Sequence, residues 1–204
     1  MNIGQINFET GKLGQYLLHI AKDENIKTII EVGTWNGLGS TRCILEGLKD
    51  RDINEYKFLS FECNPEMYSE AVKNNKEKLG NNFDIIFGKL VDEELLSSWF
   101  DVGILTDEQR GWLTQDYNWM KDISNVSEVI PEHIDFLVLD GGEYSTYLEW
   151  NLLKERFLYC ALDDTMALKC NKIREEVLSQ PNKYEIIDDN TQERNGYLVF
   201  KKLC

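Results

Sequence analysis

Short apolar segments alternate with segments of helical periodicity along most of the chain. Five apolar segments are rich in β-branched and aromatic residues, which is typical of buried strands. They are Thr28–Val32, Phe58–Glu62, Phe83–Phe87, Ile134–Asp140 and Phe157–Leu162. Apolar residues at helical spacing predict helices over 11–24, 38–48, 143–155 and 170–179. A further helix is expected to begin after Asn64, a residue type that favours the N-cap, with Pro65 in the first helical position. This alternation predicts a parallel sheet with helices on both faces.

The last part of the chain follows a different pattern. Tyr184–Asp188 and Gly196–Lys201 form two apolar segments separated by a short polar stretch, which predicts an antiparallel pair. The predicted fold class is therefore α/β. We expect a doubly wound, mostly parallel seven-stranded sheet with an antiparallel C-terminal strand. A chain of 204 residues suits a single domain, here residues 1–204.

Residues 91–130 interrupt the alternation of strands and helices. They contain Trp99, Trp112 and Trp119 among many acidic residues and include no clear strand. We predict two helices, roughly 92–100 and 106–122, as a helical insertion beside the ligand cleft. An exposed tryptophan-rich insertion is also a candidate interface for a homo-oligomer.

Charge and cysteine usage limit the partners. The formal net charge is −14, so we expect no nucleic acid partner and no anionic membrane surface. The five cysteines form no CxxC pair and no metal-ligand spacing, which favours reduced thiols in the cytoplasm. No signal peptide is expected at the N-terminus, and no apolar segment is long enough for a membrane helix.

The loop after the first strand is the clearest candidate binding site. It runs from Glu31 through Gly33 and Gly37 to Gly39 and Ser40. In open α/β sheets, ligands bind beyond the carboxyl ends of the strands, where the strand order switches. Glycines allow the backbone to approach a ligand closely, and the following helix offers free N–H groups. The spacing differs from the GxGxxG motif of dinucleotide folds, and an acid at the strand end suits a ligand with a cationic amino group.

Glu62 ends the second strand, 23 residues after Gly39. A carboxylate in this place can accept both hydroxyl groups of a ribose. An ordinary exposed acid at a strand end would look the same in isolation. The loop and Glu62 together, in this order and separation, indicate a ribose-bearing ligand.

Three segments resemble the cofactor segments of the catechol O-methyltransferase-like group of S-adenosylmethionine-dependent enzymes. They are Gly14-Gln15, Glu31–Gly37 and Phe61–Glu66. The resemblance implies a class I, Rossmann-like methyltransferase fold with S-adenosylmethionine as cofactor. It places Glu31 and Gly33 near the methionine end, Trp35 beside the cofactor, Glu62 on the ribose and Gly88–Leu90 near the adenine. The predicted cofactor-binding residues are Glu31, Gly33, Thr34, Trp35, Gly37, Ser40, Glu62, Cys63, Lys89, Leu90 and Asp140.

Asp140, Asp163 and Asp164 follow the fourth and fifth strands; we call these three residues the acidic edge. Carboxylates that converge repel one another unless a cation compensates, and oxygen ligands suit Mg²⁺. The alternative is that Asp140 and Asp163 cap the helices that follow. The segments 140–143 and 162–165 resemble the metal-binding strand ends of catechol-type and antibiotic-sugar O-methyltransferases. That resemblance implies Mg²⁺ on all three aspartates.

Glu143 stands where the catechol-type enzymes carry a lysine base. A glutamate can also accept a proton, although a first-turn helix acid is an equally ordinary interpretation. The hypothesis is metal-assisted O-methylation of a small hydroxylated acceptor, sugar-like or polyol, with Asp140 and Glu143 as catalytic residues. The alternatives are a non-catalytic S-adenosylmethionine-binding or interaction protein with a degenerate acceptor site, and a related enzyme with other chemistry.

Overall fold

A computed structural model describes residues 5–80, 82–96 and 105–203 of the chain. Seven strands form one sheet within these ranges. They are β1 (Thr28–Val32), β2 (Lys57–Glu62), β3 (Phe83–Phe87), β4 (Ile134–Leu139), β5 (Phe157–Asp163), β6 (Tyr184–Asn190) and β7 (Tyr197–Lys202). The predicted strands are confirmed, each to within two residues at either end, because the apolar segments coincide with the buried backbone.

The strand order is β3-β2-β1-β4-β5-β7-β6. The first five strands pair in parallel, whereas β7 is antiparallel to both β5 and β6. The predicted mostly parallel sheet with an antiparallel C-terminal strand is confirmed. Because the chain moves outward from β1 in one direction and then returns to β4 on its other side, the switch in strand order lies between β1 and β4.

Six α-helices cover the sheet in the described part of the chain. They are α1 (Lys12–Lys22), α2 (Ser40–Leu48), α3 (Pro65–Asn74), α4 (Asp107–Met120), α5 (Thr146–Leu153) and α6 (Leu168–Leu178). Alternate residues of β1 enter different cores: Ile29 packs with α1 and α2, and Ile30 packs with α5 and α6. The predicted helices on both faces follow from this alternation.

The helix ends correct some of the predicted boundaries. Asn64 is the N-cap of α3, and its side chain accepts the N–H groups of Glu66 and Met67, as predicted. Helix α5 begins at Thr146 rather than Glu143. The intervening residues form the loop between β4 and α5, which contributes to the cleft instead.

The insertion is partly described. Glu93–Leu96 form a 3₁₀ helix, and the rest of the first predicted helix, with Trp99, lies outside the described residues. The second predicted helix is α4, which starts with a reciprocal capping box between Thr106 and Gln109. None of the helices in the described ranges has the length and apolar character needed to cross a bilayer.

Candidate active site

Two adjoining cavities open where the carboxyl ends of β1 and β4 part. The first encloses about 620 Å³ and the second about 760 Å³ of space open to solvent. Their walls share Gly33, Trp35, Asp140 and Gly141, so together they form one continuous cleft. The cleft lies at the switch in strand order, which is where open α/β sheets bind their ligands.

The loop after β1 is held in a conformation that requires glycine. Gly33 has a φ of 93°, and a Cβ added there would lie 2.1 Å from the carbonyl oxygen of Asp140. The N–H groups of Gly33 and Thr34 both donate to the carbonyl oxygen of Phe61. These contacts fix the loop across the ends of three neighbouring strands, so its free surface faces the cleft.

Glu62 is fixed by the same loop. Its Oε2 accepts the backbone N–H of Trp35 at 2.6 Å, and its Oε1 accepts that of Asn64 at 2.8 Å. The side chain is buried, and it lines the first cavity. Burial raises the pKa of Glu62 to about 7, although the N–H donors act in the opposite direction. Each carboxylate oxygen keeps a further lone pair for a ligand hydroxyl group.

Glu31 is placed differently from the expectation of direct ligand contact. It is completely buried, and its Oε2 accepts the hydroxyl groups of Ser60 at 2.5 Å and Thr41 at 2.7 Å. Its Oε1 has no hydrogen-bond partner. Burial raises its pKa, against the effect of nearby hydroxyl groups that include Ser40. Glu31 lines neither cavity. Its hydrogen bonds to Thr41 of α2 and Ser60 of β2 instead hold together the elements around the loop.

The other predicted cofactor residues divide between the walls and the supporting turn. Cys63, Lys89 and Leu90 line the first cavity, while Thr34 and Ser40 line the second. Lys89 forms a buried ion pair with Glu93. Trp35 has a φ of 51° and exposes half of its surface at the junction of the two cavities.

Gly37 lines neither cavity and has a structural role. Its φ is 72°, and its N–H closes a turn on the carbonyl oxygen of Thr34. A Cβ at this position would lie 2.4 Å from Nδ2 of Asn75. Asn75, the C-cap of α3, donates from Nδ2 to the carbonyl oxygen of Gly37 at 3.2 Å, so Gly37 supports the turn, and its contact with the ligand stays a prediction.

The insertion contributes residues that the sequence analysis did not assign to the cofactor. Trp119 and Met120, at the end of α4, line the first cavity together with Glu149 of α5. Asp116 accepts the N–H of Tyr144 at 2.9 Å, and this bond joins α4 to the loop after β4. Trp119 lies in this wall, whereas Trp112, another tryptophan of the insertion, lines neither cavity.

Glu149 is buried, and its Oε2 has no hydrogen-bond partner. Burial raises its pKa to about 8, and the nearby carboxylates of Asp116 and Glu62 add to this effect. The wall of the first cavity therefore includes a carboxyl group whose protonated form is favoured by its surroundings. Nothing in the local sequence around Glu149 distinguishes it from an exposed helix acid.

The acidic edge comes together as predicted, since one carboxylate oxygen from each of Asp140, Asp163 and Asp164 lies within 4.8 Å of the others. Two cations are already paired with it. Lys169 Nζ lies 2.6 Å from Oδ1 of Asp140 and 2.8 Å from Oδ2 of Asp164. Arg194 donates to Asp163, at 2.8 Å from Nη2 to Oδ2. Neither ion pair was predicted from the sequence.

The electrostatics of the acidic edge follow from this pairing. Burial opposes the charged form of Lys169, but the Asp140 and Asp164 carboxylates hold its pKa well above the usual value. The pKa of Asp164 is lowered, because Lys169 outweighs the effect of burial. Oδ1 of Asp164 is left without a hydrogen bond. A divalent ion would have to take the position of the Lys169 ammonium group, so the residues as arranged do not fit Mg²⁺.

The helix-cap interpretation of these aspartates is wrong. The N-cap of α5 is Ser145 and that of α6 is Ala167, so neither Asp140 nor Asp163 caps a helix. Glu143 lines neither cavity. Burial raises its pKa, against the N–H groups of Lys169 and Leu168 at the start of α6. Asp140, which lines both cavities, is the better placed of the two predicted catalytic residues.

Comparison with solved structures identifies proteins with the same fold. A methyltransferase from Podospora anserina with bound S-adenosylhomocysteine (SAH) has a TM-score of 0.58 at 14% identity, over 94% of this chain and 78% of that one. An O-methyltransferase from Bacillus cereus in complex with SAH has a TM-score of 0.59 at 14% identity, covering 95% and 82% of the two chains. A methyltransferase from Geobacter sulfurreducens has a TM-score of 0.58 at 10% identity, over 100% of this chain and 83% of that one.

No protein-family model matches the chain, and no curated protein matches its sequence. The structural matches extend over 94–100% of this chain. The chain therefore has the Rossmann-like fold of these methyltransferases, as the sequence resemblance implied.

Proposed function

We propose that the protein is an S-adenosylmethionine-dependent methyltransferase that acts on a hydroxyl group of a small acceptor, sugar-like or polyol. The observation that carries the proposal is Glu62, a carboxylate fixed by two backbone N–H groups in the wall of a cavity at the strand switch. This arrangement suits a ribose. The fold-level similarity to methyltransferases with bound SAH supports the same assignment.

The first cavity suits the adenosine part of the cofactor. Its wall is mostly apolar and includes Phe61, Leu90 and Trp119, which offer surfaces for an aromatic base. Glu62 provides acceptors for the two ribose hydroxyl groups. The loop from Gly33 to Trp35 lies at the junction of the two cavities, so the methionine part would extend past this loop toward Ser40 in the second cavity.

The second cavity suits the acceptor. Its wall includes Asp140, Lys169 and Arg194, which are polar groups that can bind and orient a hydroxylated molecule. When bound, S-adenosylmethionine would supply an electrophilic methyl group: the acceptor oxygen would bond to its carbon, the carbon–sulfur bond would break to leave SAH, and the hydroxyl proton would pass to a base. Asp140 is the carboxylate nearest to both cavities and is the proposed base. The protein contributes mainly position and exclusion of water.

Magnesium assistance stays a prediction from the sequence. The pairing of the acidic edge with Lys169 and Arg194 argues against it, and no step of the proposal uses a metal. The same pairing favours the second candidate function, a non-catalytic S-adenosylmethionine-binding protein. Ion pairs that occupy all three aspartates would leave an acceptor site without a free base.

Release of SAH from S-adenosylmethionine, measured by mass spectrometry with a panel of sugars, polyols and catechols, separates the two functions. The enzyme hypothesis predicts SAH and a product heavier by one methylene group with at least one acceptor of the first two classes. An Asp140→Asn variant should bind the cofactor and release little SAH. Cofactor binding without SAH release from any acceptor would favour the non-catalytic alternative.

A further inference from the structure

Lys169 occupies the centre of the acidic edge. Its ammonium group lies between Asp140 and Asp164, at hydrogen-bond distance from a carboxylate oxygen of each. A cation that coordinated both carboxylates would occupy the same place, at about 2.0–2.1 Å from each oxygen for Mg²⁺. The two cations therefore compete for one position.

The charge balance favours the lysine. Three carboxylates face Lys169 and Arg194, which leaves no more than one negative charge in excess. A divalent ion would first have to expel the ammonium group. Lys169 is only 8% exposed, so expulsion would leave a buried, unpaired ammonium beside a second positive charge. An uncompensated buried charge is strongly destabilising.

The location of Lys169 in its helix indicates that the pairing is specific. It is the second residue of α6, where the helix dipole disfavours a positive charge. The two carboxylates offset this disadvantage. Asp164 has a φ of 54°, an uncommon conformation for a residue other than glycine. That conformation accompanies the contact between its Oδ2 and Lys169.

We infer that Lys169 is the resident cation of the acidic edge, in the place of the divalent ion that the sequence predicted, and that it presents a hydrogen-bond donor to the acceptor. An ammonium group has three donors, and the carboxylates of Asp140 and Asp164 take two of them. Lys169 lines the second cavity, so the third donor can bind an acceptor oxygen. The role in acceptor binding rests on the proposed function, whereas the exclusion of metal does not.

Mn²⁺ binding measured by electron paramagnetic resonance tests the inference without any acceptor. The wild-type protein should leave the signal of free Mn²⁺ unchanged up to about 1 mM metal, which limits affinity to the millimolar range or weaker. Lys169→Gln, with three carboxylates and one cation, should bind one Mn²⁺ at least about tenfold more tightly. Lys169→Arg keeps the positive charge and should again exclude the metal.

Lys154→Gln is the matched control, because it removes a lysine that pairs with Glu176 instead. It should behave like the wild-type protein. Tight binding of one Mn²⁺ by the wild-type protein, with loss of that binding in Asp140→Asn, would overturn the inference. Because this result needs only the wild-type protein and Asp140→Asn, it tests the inference even if Lys169→Gln does not fold. A failure of the proposed function would be seen in a different measurement, as the absence of S-adenosylmethionine binding in the presence of EDTA.

Discussion

At the proposed cofactor end of the cleft, the carboxylates of Glu31 and Glu62 are held by hydroxyl and backbone N–H groups, whereas the acidic edge is held by Lys169 and Arg194. Neutral donors leave the carboxylate lone pairs only partly used and let burial raise the pKa. At the acidic edge, burial also raises the pKa of Asp140 and of Asp163, but Lys169 and Arg194 act against it. The first arrangement is prepared for a neutral polar ligand such as a ribose, and the second already contains its counter-ion.

The largest effect is expected from Gly33→Ala. The new Cβ would meet the Asp140 carbonyl oxygen, and the φ of 93° disfavours any side chain. The loop must move, so we expect a loss of about 2–4 kcal/mol in the free energy of unfolding. Cofactor binding should be lost as well. Urea unfolding and calorimetric titration measure the two effects.

Gly111→Ala is the control for this substitution. Gly111 lies in α4 with nothing within 4 Å of the added Cβ, so the variant should gain about 0.5–1 kcal/mol. Equal stability of the two variants would show that the loop after β1 is not constrained as described.

Glu62→Gln tests the cofactor end directly. The amide would place a donor against the N–H of Trp35 or Asn64 and would weaken the hydrogen bonds to a ribose. Loss of a charged hydrogen bond of about 1.5–3 kcal/mol corresponds to a ~10–100-fold lower affinity for S-adenosylmethionine. Glu66→Gln, on the first turn of α3, should keep the wild-type affinity. An unchanged affinity in Glu62→Gln would remove the ribose assignment.

The pH dependence of stability reports on buried carboxylates at both ends of the cleft, because burial raises the pKa of Asp163 to about 7 as well. Burial raises the pKa of Glu62 to about 7 and of Glu149 to about 8. The folded state therefore binds these protons more tightly than the unfolded chain does. This contribution to stability is complete below the ordinary pKa of glutamate and is lost as the pH rises through 7 and 8. The free energy of unfolding should fall between about pH 5.5 and about pH 8.5.

Glu149→Gln should flatten this decline and stabilise the protein by about 1–3 kcal/mol at the upper end of the range. Glu155→Gln is the control, since ion pairs with Lys183 and Lys202 lower the pKa of Glu155 to about 2. Glu155 titrates below this pH range, so the free energy of unfolding of Glu155→Gln should fall with pH as steeply as that of the wild-type protein. A stability that rises with pH would contradict the assigned burial of the cofactor-end carboxylates.

The smallest effect is expected from Trp35→Ala. The side chain is 50% exposed, so stability should change by no more than about 0.5 kcal/mol. Loss of an aromatic contact with the cofactor should lower its affinity about threefold to tenfold. Trp112→Ala removes another exposed tryptophan, 40% exposed, and should leave the affinity unchanged. Equal affinities would place the cofactor away from Trp35.

The sequence predicted the strands and the loop after β1 because their signals are local. A segment such as Phe83–Phe87 is recognisable from its own residues, and Asn64 with Pro65 marks a helix start within two positions. The strand ends also placed the acidic edge correctly, since parallel strands bring their carboxyl ends together.

The ion pairs of the cleft could not be predicted from local sequence patterns. Lys169 reaches Asp140 across 29 positions, and Arg194 reaches Asp163 from the turn between β6 and β7, across 31 positions. Neither pairing has a local pattern. The burial of Glu149 likewise depends on α4 covering the cavity, which is a tertiary contact.

Calorimetric titration of the wild-type protein with S-adenosylmethionine, in the presence of EDTA, tests the central claim most directly. The account predicts binding of one molecule per chain with micromolar affinity, because Glu62 and the loop after β1 form the site without a metal. The absence of binding heat at about 1 mM S-adenosylmethionine, or binding that appears only when Mg²⁺ replaces EDTA, would contradict it.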